Sequence, residues 1–131
     1  MAEQGGGPFL QMAVMCEKAL QETDGVLSVI RIVDRLTIPG ARPVQITGVI
    51  NFNSGFAQGR YTVKLRPQTP SGKSMGEREF PVLFEGDERG VTLLADIGFV
   101  AEEEGLYWFD VLLGEAVVTR IPVRILYQSK G

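Results

Sequence analysis

From Gly105 to Leu126 the chain reads GLYWFDVLLGEAVVTRIPVRIL, two runs in which apolar residues alternate with others on either side of Gly114-Glu115. Side chains of a strand point to opposite faces in turn, so Tyr107, Phe109, Val111 and Leu113 share one face. After the turn, Val117, Ile121, Val123 and Ile125 are expected to continue it. A two-residue loop led by glycine suits a I′ or II′ turn, and the stretch is a predicted β-hairpin.

Weaker copies of this pattern fill the rest of the chain. Phe9 to Cys16 is read as a strand ending near Cys16, because Asp24-Gly25 then makes a turn toward a β-branched run. The alternative is a short helix through QMAVMCEKALQE, with Leu10, Val14 and Leu20 apolar. Val26 to Ile38 is apolar on both faces and is predicted to be one central strand, covered on each side. Pro39-Gly40 and Pro43 end it. Val44, Ile46, Ile50 and Phe52 then face inward, with a bulge expected at Gly48. Tyr61, Val63 and Leu65 make the next inward face. Phe80, Val82 and Phe84 follow, on a run that Pro81 marks as an edge strand. Val91, Leu93, Ile97 and Phe99 precede the hairpin.

About eight short strands at this spacing, with no firm helix, predict an all-β fold. A two-sheet antiparallel β-sandwich is expected, because one-faced strands must bury against a second sheet; a small β-barrel is the alternative. The 131 residues make one domain. Met1 to Pro8, with Gly5, Gly6 and Gly7, reads as a flexible leader, residues 9 to 128 as the sandwich and 129 to 131 as a tail.

Composition removes several kinds of chemistry. The formal charge of -3 gives no reason to expect general nucleic-acid binding. No apolar run is long enough to span a membrane as a helix, and the start has no signal-peptide pattern. A single cysteine, Cys16, points to a reducing cytosol. The absence of histidine removes the commonest general base and metal ligand. No enzyme activity and no cofactor are expected.

Several segments resemble a family of small uncharacterised bacterial proteins with an immunoglobulin-like β-sandwich. They are the opening strand with Cys16 and Glu17, the Asp24-Gly25 turn, the Ser28-Val-Ile30 strand running to Asp34-Arg35, the Gly-x-Tyr-x-Phe strand from Gly105, and Leu113-Gly114-Glu115 before Ile121-Pro122-Val123. The resemblance implies the fold and no particular activity. An antibody-type domain is excluded by the missing cysteine pair.

The remaining motifs are weak. Ser71-Gly72-Lys73-Ser74 looks like the end of a phosphate loop, but the first glycine of that motif falls on Pro67, so a polar turn is expected. Cys16 has no base to activate it and is expected to be a small buried residue. The acidic turns at Glu85, Asp87 and Glu88 and at Glu102, Glu103 and Glu104 could meet a Ca²⁺ at the rim, but they lack the tight spacing of calcium loops. Solvated carboxylates are the simpler reading.

The opposite side of the hairpin carries the one candidate surface. In an immunoglobulin-like order the strands from Gly59, Gly105 and Ala116 lie side by side, with the Gly105 strand central. Its outward residues Leu106, Trp108 and Leu112 then form an apolar patch, bordered by Arg60, Lys64 and Arg66 on one side and Arg120 and Arg124 on the other. Trp and Arg are enriched in interface hot spots. The expected role is a non-catalytic module for a protein partner or for self-assembly, with a ligand- or carbohydrate-binding sandwich using rim Ca²⁺ as the alternative. In the competing arrangement the N-terminal hairpin or the Gln68 to Met75 loop covers Trp108.

Overall fold

The structure, a computed structural model, describes residues 6–129. Regular structure there is all strand: β1 (Phe9–Gln21), β2 (Leu27–Ile32), β3 (Arg35–Ile38), β4 (Pro43–Asn53), β5 (Gln58–Gln68), β6 (Arg78–Glu85), β7 (Gly90–Val100), β8 (Gly105–Leu113) and β9 (Ala116–Tyr127). They form a four-stranded sheet, β2-β1-β4-β7, and a five-stranded sheet, β3-β9-β8-β5-β6. This is the expected all-β sandwich. All pairs are antiparallel except β3 with β9, which run parallel.

The closing hairpin forms with Gly114 at φ 60° in its turn. Tyr107, Phe109 and Val111 are fully buried, as their alternation requires. Beyond the turn the pattern departs from expectation. Val111 faces Thr119 whereas Leu112 faces Val117, so β9 carries one extra residue at Val118. A bulge of this kind inverts the parity of a strand. Val118 therefore packs on the core and Val117 turns outward, 54% exposed.

Two further corrections concern the first half of the chain. Val26 to Ile38 is not one central strand: it divides into β2 and β3, at the edges of different sheets. The crossing is abrupt. Val33 N donates to Met15 O in the first sheet, and Arg124 N donates to Asp34 O in the second. Arg31, at φ 57°, sits in the left-handed region just before the crossing. This split makes nine strands of the expected eight. At Gly48 there is no bulge; it stays in register with Met15 and Ala95. A Cβ there would meet Ile97 Cδ1 and Met15 Sδ at 3.5 Å, an ordinary contact, so the site has room for a methyl group and little more.

The core lies between the sheets. Met15, Ile46, Ile50, Phe52, Ala95 and Ile97 come from one side, and Val63, Leu65, Phe84, Phe109, Val123 and Ile125 from the other. Phe52 and Tyr61 each meet Phe84 edge-on. At the turn into β8, the Tyr107 hydroxyl donates to Glu103 O at 2.7 Å and accepts from Glu103 N at 3.2 Å. That is the tyrosine corner of immunoglobulin-like sandwiches.

β1 is a strand, and it runs past Cys16 to Gln21. Up to Cys16 it pairs with β4, and from there with β2, so the β1–β2 hairpin projects as an arm. A crevice lined by Gln21, Gly25 and Leu27 together with Thr92 and Leu94 sets the arm's tip against the outer side of β7. Val49 and Cys16, which lie outside the core cluster, are nonetheless fully buried. Of the expected leader, Gly6 to Pro8 are described: Gly6 O accepts from Phe56 N at 3.0 Å, and a Cβ on Gly7 would stand 2.6 Å from Ser54 O.

Candidate functional site

The three strands expected side by side are adjacent, in the order β9-β8-β5, with β8 central. Register places Trp108 between Pro122 and Gln68, Asp110 between Arg120 and Arg66, and Leu106 beside Arg124. Leu106 and Trp108 are half-buried. Neither the arm nor the Gln68 to Met75 loop lies over them: the arm belongs to the other sheet, and the loop reaches toward Gly98 and Phe99.

Trp108 is covered in part by its own sheet. The Arg120 guanidinium carbon sits 4.5 Å from the centre of the indole ring. Arg120 Nε also donates to Asp110 Oδ1 at 2.7 Å. Asp110 is itself little exposed, so the arginine is held at both ends. A cation over an indole face is attracted by the ring quadrupole, at about 0.5–1 kcal/mol where water has access.

Leu112 is fully buried yet outside the core cluster, in register between Lys64 and Val117. Lys64 Nζ donates to Glu115 Oε2 at 2.6 Å, although its side chain keeps only 14% exposure. A lysine that ties its ammonium down in this way lays its aliphatic stem along the sheet. The pair holds the Glu115 carboxyl below its usual range and raises the Lys64 ammonium, the hydrogen bond between them being the main cause of each shift. Arg66 forms an ion pair with Glu77 and reaches Glu115 at 3.8 Å. Arg60 faces Leu83 on β6, outside the Val63 to Gln68 segment of β5 that pairs with β8, so it does not border Trp108.

The sequence reading missed Arg35. Its strand pairs in parallel with β9 and sets Arg35 opposite Arg124, on the far side from Leu106. Both arginines are exposed. Parallel pairing of β3 with the last strand leaves no local signal, because its cause is the crossover at Val33-Asp34. The outer face thus comprises a Trp108-Arg120-Asp110 stack, a free edge of Arg124 and Arg35, and a buried Leu112 under charges that neutralise one another.

The other motifs form no chemical site. Ser71 to Ser74 lies in the turn between β5 and β6, where Ser71 Oγ donates to Glu103 Oε2 at 2.8 Å. Lys73, Ser74, Phe99, Glu102, Glu103 and Tyr107 border a hollow of about 360 Å³ at that end. The two acidic turns stand at opposite ends of the 11-residue β7, roughly 30 Å apart at the rise of an extended strand, so they cannot share an ion. Glu104 Oε1 accepts from Tyr127 N, and Glu85 pairs with Arg89. Among the described residues no three metal-capable side chains converge. Cys16 is buried; its thiol donates to Lys18 O at 3.4 Å, and burial pushes its pKa up. Among the described residues no helix is long and apolar enough to cross a membrane.

Comparison with solved structures gives the same architecture. A β-glucosidase from Listeria innocua in complex with glucose aligns with a TM-score of 0.50 and 11% identity, over 88% of this chain and 16% of that one. The same enzyme with gluconolactone gives 0.49 and 13%, over 71% and 14%. This chain therefore matches about a sixth of the enzyme's length. An immunoglobulin-like protein from Pseudomonas aeruginosa aligns at 0.47 and 10%, over 94% of this chain and 99% of its own. No curated protein matches. Residues 11–126 match one family along nearly the whole sandwich, and the chain belongs to DUF6941, a family of unknown function.

Proposed function

We propose that this protein is a non-catalytic binding module that engages a protein partner through the sheet face centred on Trp108. The observation that carries the reading is the Arg120 guanidinium held over Trp108 by Asp110. It is an aromatic-cationic element already in its contact geometry, and a side chain that needs no ordering on binding loses less entropy. Leu106, Arg124 and Arg35 extend it, which suits a partner segment that mixes apolar and acidic residues. A chain without histidine, with its one thiol buried, offers little to catalysis, and such a thiol fits a reducing cytosol.

Trp108 is the only tryptophan, so its fluorescence reports on this face alone. Partner binding is expected to shift its emission to the blue. Affinity capture from the native host, repeated with Trp108→Ala and Arg124→Glu, should lose the same stoichiometric partner in both variants while circular dichroism stays native. Retention of that partner by both refutes the reading. The carbohydrate alternative has no observation of its own, since the likeness to part of a β-glucosidase concerns the fold; a rise in melting temperature with calcium or a glycan would revive it.

A further inference from the structure

We propose that the β1–β2 arm is a self-association surface on which two copies of this chain pair antiparallel, β2 against β2. This surface is on the sheet opposite Trp108 and is independent of the partner reading. The first observation is the edge itself. Among the described residues β2 pairs only with β1. Glu22 N donates to Val26 O at 2.8 Å, which fixes Val26, Ser28 and Ile30 as the residues whose backbone groups turn toward β1. Leu27 and Val29, between them, aim their N–H and C=O groups outward. Edge strands are ordinarily blunted by proline or by charge, and the run Leu27-Ser-Val-Ile30 has neither.

The second observation is apolar exposure. Val26 and Ile32 are 61% and 64% exposed, and Leu20 and Ile30 are 38% and 37%. Leu20 and Ile30 share one face of the arm with Lys18, as the pairing of Leu20 with Ser28 and Lys18 with Ile30 requires. The β-branched residues that a strand-to-strand contact favours are thus the ones left in water.

Charge selects the occupant. The tip of the arm is acidic, with Glu22 and Asp24. Its base, up to the crossing at Val33, carries Lys18 and Arg31 against Glu17, and so is net positive. Arg31 Nε lies 3.3 Å from Glu17 Oε2 within the chain. In an antiparallel pair related by a two-fold axis, the tip of each arm meets the base of the other, so acidic meets basic at both ends. A parallel pair would set tip on tip. An isologous contact of this kind closes on itself and stops at two copies.

One strand edge and four apolar side chains make a small interface, so association in the range of tens of micromolar is expected. Sedimentation equilibrium or light scattering across a concentration series of the full chain tests this. The average mass should rise from one chain toward two, and Ile30→Lys and Val29→Pro should each hold it at one. Val29→Pro removes an outward N–H, not one bonded to β1, so the arm remains formed. Asp24→Arg and Arg31→Asp should each weaken association at least several-fold, and the two together in one chain should restore it. A wild-type mass that stays at one chain into the millimolar range overturns the proposal. So does association that survives both Ile30→Lys and Val29→Pro, and failure of the double charge exchange to restore it overturns the antiparallel pairing. Trp108→Glu should leave the dimer untouched, which separates this surface from the partner-binding face.

Discussion

In the tyrosine corner a single oxygen atom secures a whole turn. Tyr107 is fully buried, and its hydroxyl makes two hydrogen bonds to the backbone of Glu103. Replacing it with phenylalanine keeps the ring in place against Phe99, whose centroid is 5.2 Å away, and removes only the oxygen. The Glu103 carbonyl and amide then lose their partner, at about 1–3 kcal/mol for buried polar groups left unsatisfied. A loss of about 2 kcal/mol is expected, or about 8 °C in melting temperature for a chain of this size. Urea unfolding at pH 7 should move the midpoint and leave the slope unchanged. The effect also carries a pH signature. Burial holds the Tyr107 phenol above its ordinary pKa, so its contribution is complete below about pH 10, where the unfolded phenol is neutral, and declines as pH rises beyond that. Phenylalanine has no proton to lose, so the gap between the two proteins should narrow in alkali. A Tyr107→Phe protein within about 0.5 kcal/mol of wild type at pH 7 would refute the corner as a stabilising element.

Two further substitutions test departures from the sequence reading. Leu112→Ala should cost about 2–4 kcal/mol, as for other fully buried leucines, and any weakened binding should be recovered at low temperature where the variant is folded; a loss under 1 kcal/mol would return Leu112 to the accessible surface. Gly48→Ala should be neutral or stabilise by up to about 1 kcal/mol, because its Cβ meets neighbours at ordinary contact distance and the unfolded chain loses freedom. Gly48→Val should instead destabilise by about 1–3 kcal/mol through overpacking, and equal tolerance of both would mean that Gly48 is not held in the packed register.

What the sequence made legible was governed by local alternation. The inward faces of β5, β6, β7 and β8 follow from period-two patterning and reappear as residues buried in the core or half-buried against it. Pro81 marked β6 as an edge, which it is. The failures occur where the cause is distant. Val26 to Ile38 has too many β-branched residues for one face, and this looks like a strand covered on both sides. The same pattern arises when a segment belongs to two sheets in turn, and only the switch at Val33-Asp34 distinguishes them. The bulge at Val118 is likewise silent, since Val117 and Val118 are interchangeable in composition and the shift follows from how Leu112 and Leu113 meet the turn. In the candidate site, the stacking of Arg120 on Trp108 follows from their places on adjacent strands. Arg35 was hidden because its neighbour lies 89 positions along the chain, at Arg124.

The two sheets solve the problem of their outer faces in different ways, and the difference has a consequence for function. On the five-stranded sheet, Leu112 is buried beside Lys64, and the cations near it are matched by Glu77, Asp110 and Glu115. That face is closed except around Trp108, Arg124 and Arg35. On the four-stranded sheet, Val49 and Cys16 are buried, while Leu20, Ile30 and Ile32 on the arm are left in water. The two open regions are therefore on opposite sides of the sandwich. Pairing through the arms would leave both Trp108 faces free, because neither takes part in it. A dimer built this way is bivalent, so a partner displayed in many copies is held more tightly than a single one, with no change at either Trp108 face. Weak self-association and a small binding face, each modest alone, are in that arrangement complementary.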